Sequence, residues 1–350
     1  MQRRGFLKTS LGAAVCVEGR FFLLDSGSPN TLRAAGAARN LLVGSAVSNS
    51  QLHSQALDSF LAEQCNIVGP EAEMNWDEVH PERDRYDFAA ADELVAFAAK
   101  NGLLVRGHTL CSHEDQPSWL ETVATRDNAA RLLVEHIRTV TGRYAGSIHS
   151  WDVVNEAIEP GDRRSDGMRE SMWLKLLGLQ YIAIAFHTAA EADPKALLTY
   201  NDYGLEGDAP ENDQRRVVAL ALLRWMRTNR IPIHAVGLQS HLTAGFGPRP
   251  DWHGLHDFLK QAAKLDLQIF ITELDIDDTD FPGSGKKREK GAAELCQQYL
   301  ENVLRHPQVK AVMTWGLVSH NSDGHHALPL DEELQPTPFL TAMLDALQKR

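Results

Sequence analysis

From about residue 39 onward the chain alternates short apolar runs, rich in β-branched residues, with longer stretches whose apolar positions recur at helical spacing. The short runs predict strands at 41–45, 66–68, 103–107, 148–154, 197–200, 235–239, 268–272 and 311–315. The longer stretches predict helices at 55–64, 88–100, 126–144, 172–192, 211–228, 255–264 and 289–305, with 337–348 closing the chain. In the third of these, Thr125 is the expected N-cap and Leu132, Leu133, Ile137 and Val140 supply one apolar face. Strands that alternate with helices in this way predict an α/β fold, a (β/α)8 TIM barrel. The alternative is an open, doubly wound sheet. Such sheets usually carry a glycine-rich phosphate loop, and the sequence has none.

Two of the strand patterns run out into carboxylates. Ser150-Trp151-Asp152-Val153-Val154-Asn155-Glu156 ends in one, and Ile269-Phe270-Ile271-Thr272-Glu273-Leu274-Asp275 repeats the design. Taken alone, a glutamate after a strand reads as a surface or capping residue. On a barrel, however, Glu156 falls at the top of strand four and Glu273 at the top of strand seven, so both face one cleft. Two carboxyl groups across a sugar-sized gap are the equipment for glycoside hydrolysis. One protonates the leaving oxygen, and the other attacks the anomeric carbon or activates water. A separation of about 5–5.5 Å implies direct attack and retention of configuration.

Composition narrows the setting. A chain of 350 residues, 43% hydrophobic and 23% charged, is globular and long enough for one large barrel or two ordinary domains. The formal net charge of −12 argues against nucleic acid or an anionic membrane as partner and leaves a neutral ligand open. At the start, Arg3-Arg4-Gly5-Phe6-Leu7-Lys8 resembles a twin-arginine export signal, followed by a mildly apolar run that Glu18, Arg20 and Asp25 interrupt. Ala34-Ala35-Gly36-Ala37-Ala38 is the expected cleavage region. The expected organisation is a signal and linker at 1–38 and a single catalytic domain at 39–350, exported to the periplasm or the extracellular space. Cys16 would leave with the signal. Cys65, Cys111 and Cys296 are then expected as buried free thiols, a disulfide between two of them being the alternative; no zinc-type spacing is present.

The motifs together carry a resemblance. Over 41–340 the chain resembles glycoside hydrolase family 10, the retaining endo-β-1,4-xylanases. Trp151-Asp152-Val153-Val154-Asn155-Glu156 is similar to that family's acid/base segment, and Ile271-Thr272-Glu273-Leu274-Asp275 to its nucleophile segment. Arg106-Gly107-His108-Thr109-Leu110, Asn201-Asp202-Tyr203, Gly237-Leu238-Gln239-Ser240-His241 and Trp315-Gly316 follow in register on successive strand ends. Singly, His108 and His241 read as core histidines and Trp315 as a barrel-mouth aromatic; the aligned order changes that reading.

The resemblance implies roles for these positions. Glu273 is the expected nucleophile, hydrogen-bonded by His241, which Asp275 orients. Glu156 is the expected general acid and then general base. Asn155 is expected on the sugar 2-hydroxyl, with His108, Gln239 and Trp315 lining the same sugar and Tyr203 and Glu71 supporting substrate binding. The resemblance implies no cofactor and no metal. It also implies a monomer acting on a polysaccharide or oligosaccharide, with no nucleic acid and no membrane after export.

The chain also departs from the family. Where the family usually reads Glu-Asn-Glu-Met-Lys-Trp, this sequence has Glu71-Ala72-Glu73-Met74-Asn75-Trp76. Ser112 replaces a tryptophan ahead of His113, and a second tryptophan is missing from the loop Ser319-His320-Asn321-Ser322-Asp323-Gly324-His325-His326. Each lost contact is worth about 1–3 kcal/mol, so plain xylan is expected to bind more weakly, and the missing tryptophan at the mouth is expected to open space for a bulkier or differently decorated glycan. Three alternatives are a β-glycosidase of altered specificity, a carbohydrate-binding barrel without catalysis, and a metal-dependent barrel hydrolase. The last would require His-x-His after strand one, where Val47-Ser48-Asn49-Ser50 stands instead.

Overall fold

In the computed structural model, residues 14–17, 20–23, 30–245, 250–283, 285–319 and 326–349 are described. Eight parallel strands form the barrel: β1 (Leu42–Val47), β2 (Ile67–Pro70), β3 (Leu104–Gly107), β4 (Ser150–Asn155), β5 (Leu197–Asp202), β6 (Ala235–Leu238), β7 (Gln268–Asp277) and β8 (Val309–Thr314). Each pairs with its neighbour in sequence, and β8 closes the ring on β1 with Ala311 opposite Leu42 and Thr314 opposite Ser45. The (β/α)8 architecture expected from the sequence is therefore the observed one.

The strand residues divide between two environments. Trp151 and Val153 of β4 are buried against the helices, whereas Asp152, fully buried, alternates to the other side and meets Arg106 of β3 inside the barrel. Higher in the barrel the interior is polar, with Thr314 Oγ1 donating to Ser45 Oγ at 2.9 Å and Thr272 Oγ1 to Asn201 Oδ1 at 2.8 Å. Near the base, Ala235, Phe270 and Ala311 form a separate apolar plug.

Several element boundaries differ from expectation, each for a local reason. The helix expected at 172–192 is two, Met172–Leu177 and Gln180–Ala192, because Gly178 adopts φ 60° and ψ −164° between them. The helix expected from 126 begins at Ala129, so Thr125 is not its cap. Asn128 occupies that position, and its Oδ1 accepts from Thr125 N–H at 2.7 Å, closing residues 125–128 into a turn. β7 runs on to Asp277, since the short strand His241–Thr243 pairs alongside it and His326–Ala327 pairs antiparallel to its end.

The barrel also begins earlier than residue 39. A helix at Leu32–Ala37 buries Leu32, Ala35 and Ala37, with Thr31 as its N-cap, and packs on Pro338–Gln348 and β1. The alanine-rich stretch expected to hold a cleavage site is thus part of a packed helix. Ahead of it, Ala14–Val17 and Arg20–Leu23 form a two-stranded antiparallel pair. The twin-arginine motif at 3–8 lies outside the described residues. Cys65, Cys111 and Cys296 are buried and free. Among the described residues no helix is long and apolar enough to cross a membrane.

Candidate active site

The carboxyl ends of β4 to β8 converge on one face, and both strand-end glutamates lie there. Glu156 follows β4 in the left-handed region, φ 55°, with its N–H donating to Asn201 O at 2.9 Å. Its Oε1 accepts from Gln239 Nε2 at 2.8 Å, while Arg169 Nη2 and His113 Nδ1 stand 3.8 and 3.7 Å from Oε2. Glu273, in β7, is only 3% exposed. Its Oε1 accepts from Asn201 Nδ2 at 2.7 Å, and its Oε2 lies 3.2 Å from His241 Nε2.

One line of hydrogen bonds joins the two carboxylates. Gln239 Nε2 reaches from Glu156 to Asn155 Oδ1 at 3.3 Å, and Asn201 Nδ2 bridges Asn155 Oδ1 at 2.9 Å to Glu273. Asn155 Oδ1 is thus taken twice, which leaves its amide nitrogen as the end available to a ligand. Asn201, quoted above only as part of a motif, is the central member of this line. Its Oδ1 is held in turn by Thr272.

Electrostatics divides the site. Burial raises the Glu273 carboxyl, but the His241 hydrogen bond and the positive charges of His108, His241 and Arg106 outweigh it, and the net direction is down. Burial depresses His241, yet hydrogen bonds to Asp275 (Nδ1 to Oδ1, 2.9 Å) and Glu273, with the charges of both, lift it to about 10. His241 is thus an imidazolium at neutral pH, donating from both ring nitrogens. Asp275 is raised by burial but lowered further by His241 and by His326, whose Nδ1 lies 3.3 Å from Oδ2. His326 ends the loop that lacks the second tryptophan and that also carries His320, Asp323 and His325. It joins the nucleophile's support because its strand pairs with β7, whereas the other three lie outside the described residues.

The remaining expected residues flank this centre. His108 Nδ1 lies 2.8 Å from Asp152 Oδ2, and its ring meets Trp315 edge-on at 5.4 Å; Trp315 also meets His241 edge-on at 6.4 Å. Glu71 lies beside Gly316 at the end of β2. Burial, then the charge of Glu73, pushes its carboxyl up to about 7. Tyr203 donates to Glu159 Oε2 at 2.7 Å, accepts from Arg169 Nη2 at 2.9 Å and lies under the Arg215 guanidinium at 4.0 Å. Beneath it Asp202 is held at about 7 by burial, against Tyr200 and Arg215. Arg169, Glu159 and Arg215 were not read from the sequence. Arg106 and Asp152 stood inside quoted motifs, and a charge within an apolar strand is the signal that would have singled them out.

His108, Asp152 and Glu273 each bring one potential ligand atom within 4.8 Å of the others. That set is already paired: Arg106 Nη2 forms an ion pair with Asp152 and stands 4.0 Å from Glu273 Oε1. The Arg106 guanidinium thus offsets part of the negative charge of the two carboxylates.

At the departures from the family pattern the structure is tight. The cavity lined by Ser112, His113, Glu156 and Trp173 holds about 10 Å³, no more than a water. Asn75 is buried at the foot of its short helix with Oδ1 unpaired. A larger cavity of about 550 Å³ lies on the outer wall beside Arg138, His187 and Trp225 and contains neither glutamate.

Comparison with known proteins agrees with this geometry. The family described as Glycosyl hydrolase family 10 matches residues 31–346. The chain is 32% identical over 337 residues to Endo-1,4-beta-xylanase B of Thermotoga neapolitana, covering 91% of this chain and 92% of that protein. It is 40% identical over 248 residues to Endo-1,4-beta-xylanase B of Paenibacillus barcinonensis, covering 69% and 71%. Native xylanase 10B from Thermotoga maritima superposes with a TM-score of 0.81 at 34% identity, over 91% of this chain and 98% of that one. Xylanase 10B from Thermotoga petrophila, solved with xylobiose, gives 0.80 at 33%, over 91% and 97%. With its paired strand-end glutamates on a closed eightfold barrel, the chain belongs to glycosyl hydrolase family 10.

Proposed function

We propose that the protein is a retaining endo-1,4-β-xylanase in which Glu273 is the nucleophile and Glu156 the acid/base. The observation that carries the assignment is the asymmetry of the two carboxylates. Glu273 is buried and held anionic by an imidazolium, whereas Glu156 is reached by a neutral amide at 2.8 Å and opens toward the cleft. The names of the relatives support the substrate.

The steps follow from these groups. Glu273 attacks the anomeric carbon while Glu156 gives its proton to the departing glycosidic oxygen, and a covalent glycosyl-enzyme forms. Glu156, now a carboxylate, takes a proton from water, which attacks the same carbon and releases the sugar with its configuration retained. The free Asn155 amide is placed to donate to the 2-hydroxyl, a bond that strengthens as charge develops on the ring. His241 carries its proton throughout, stabilising Glu273 as attacking group and then as leaving group. His108, Gln239 and Trp315 line the same sugar, and Glu71 and Tyr203 flank it on either side.

Export through a twin-arginine route is part of this proposal, on the strength of Arg3-Arg4-Gly5-Phe6-Leu7-Lys8. Any cleavage belongs ahead of Thr31, since the packed helix starts there. A monomer is the proposed working form.

The test is hydrolysis of an aryl β-xylobioside followed by proton NMR, comparing the parent with Glu273→Ala. The β-anomer is expected first, with kcat lowered roughly 10⁴-fold or more in the variant. An α-anomer formed first would assign inversion and remove Glu273 as nucleophile.

A further inference from the structure

The segment after Glu156 leaves the barrel and folds straight back onto it. Ile158 and Met168 form an antiparallel bridge, Glu159 N–H donates to Gly167 O at 3.0 Å, and Arg169 N–H donates to Ala157 O at 2.8 Å. This hairpin returns Arg169 to the residue from which it departed. Its Nε donates to the Glu156 carbonyl at 2.7 Å, and its Nη2 donates to Tyr203 OH at 2.9 Å while standing 3.8 Å from Glu156 Oε2. Glu159, 3.6 Å from the same Nη2, is anchored by Arg215 at 2.6 Å.

We infer that Arg169 is a positioning residue for the acid/base, fixing the backbone and the outer carboxylate oxygen of Glu156 from the side away from Gln239. This rests on the reading of Glu156 as acid/base. A glutamate at φ 55° persists only where its surroundings hold it. Here its N–H is tied to Asn201 O at 2.9 Å and its C=O to Arg169, so both neighbouring peptide groups are fixed. Gln239 fixes Oε1. The Arg169 charge faces Oε2 at 3.8 Å, so the outer oxygen too has a fixed neighbour. One planar guanidinium serves the carbonyl and the tyrosine together, which an ammonium on a flexible stem does not do. Arg169 itself contacts neither the anomeric carbon nor the nucleophile; it acts through Glu156.

Misplacing a general acid penalises only those substrates whose leaving group requires a proton. The experiment measures kcat/KM on two aryl β-xylobiosides, a dinitrophenyl one that departs unprotonated and a phenyl one that does not, for the parent, Arg169→Met and Arg169→Lys. Arg169→Met is expected to lose about 10–100-fold on the phenyl substrate and at most about threefold on the dinitrophenyl one, with Arg169→Lys between it and the parent. Equal losses on both substrates, or an undiminished rate on the phenyl substrate, would overturn the inference. If the methionine variant does not fold, by circular dichroism, the lysine variant carries the same comparison. Parent turnover on both substrates is recorded first. A failure of the xylanase reading then appears in the parent, and a failure of this inference appears only in the ratio.

Discussion

Gly237 has no space for a side chain. A Cβ there would come within 2.2 Å of Asn201 Oδ1 and 3.0 Å of Thr272 Cγ2. Asn201 cannot yield without giving up its bonds to Glu273, Asn155 and Thr272. Gly237→Ala is therefore expected to lower kcat/KM by about 10–100-fold, the cost of a misplaced catalytic group, while the far-ultraviolet spectrum stays that of the parent. An unchanged kcat/KM would show that Asn201 is not what holds the nucleophile. The two glutamates were legible in the sequence because a carboxylate that ends an apolar strand stands out against its neighbours. Asn201 was not, although its motif was noticed, because Asn155, Thr272 and Glu273 come from two other strands and nothing local announces their meeting. The same holds for Arg106 and Asp152, whose pairing exists only once β3 and β4 lie side by side.

The alternation of strand and helix survived the transfer from sequence to structure almost intact, since period-2 and period-3.6 patterns are properties of each segment alone. Losses occurred where a backbone angle or a distant packing partner decides. Gly178 broke a helix whose apolar pattern runs on through it, and the hairpin that carries Arg169 has no periodicity to read. The helix Leu32–Ala37 was mistaken for linker because its alanines also suit a cleavage region. Its packing is specific: Leu32 N–H donates to Gln64 Oε1 at 3.0 Å, and Arg33 donates to Ala62 O at 2.7 Å and Gly102 O at 3.2 Å. A chain starting at residue 39 should accordingly be less stable than one starting at residue 31 by about 3 kcal/mol, mostly the burial of Leu32 and the alanines. Urea unfolding of the two truncations measures the difference. Coincident midpoints would return the helix to the status of a linker.

Protonation of the base of the barrel bears on the molecule as a whole. Burial holds the His149 imidazole at about 4, with its ring 6.2 Å from Phe270. The unfolded chain takes up that proton near pH 6.5 and the folded one only near pH 4. The stability His149 contributes is therefore present above about pH 6.5 and lost as pH falls through that window, on the order of 3 kcal/mol. Glu71 and Asp202, both raised to about 7, act in the opposite sense over the same range, so the comparison requires a variant. Between pH 7 and pH 4 the parent should lose more unfolding free energy than His149→Gln, by that amount; parallel curves would show that the half-buried His149 ring titrates as it does in the unfolded chain.

The two ends of the described barrel also meet. Arg39 Nη1 donates to Lys349 O at 2.6 Å, its Nη2 to Leu304 O at 3.2 Å, and the helix Leu32–Ala37 lies on Pro338–Gln348. Because the first helix feeds the starting edge of β1, this meeting place lies at the pole of the barrel opposite Glu156 and Glu273. The ring thus has a single seam, stitched on its far side from the chemistry.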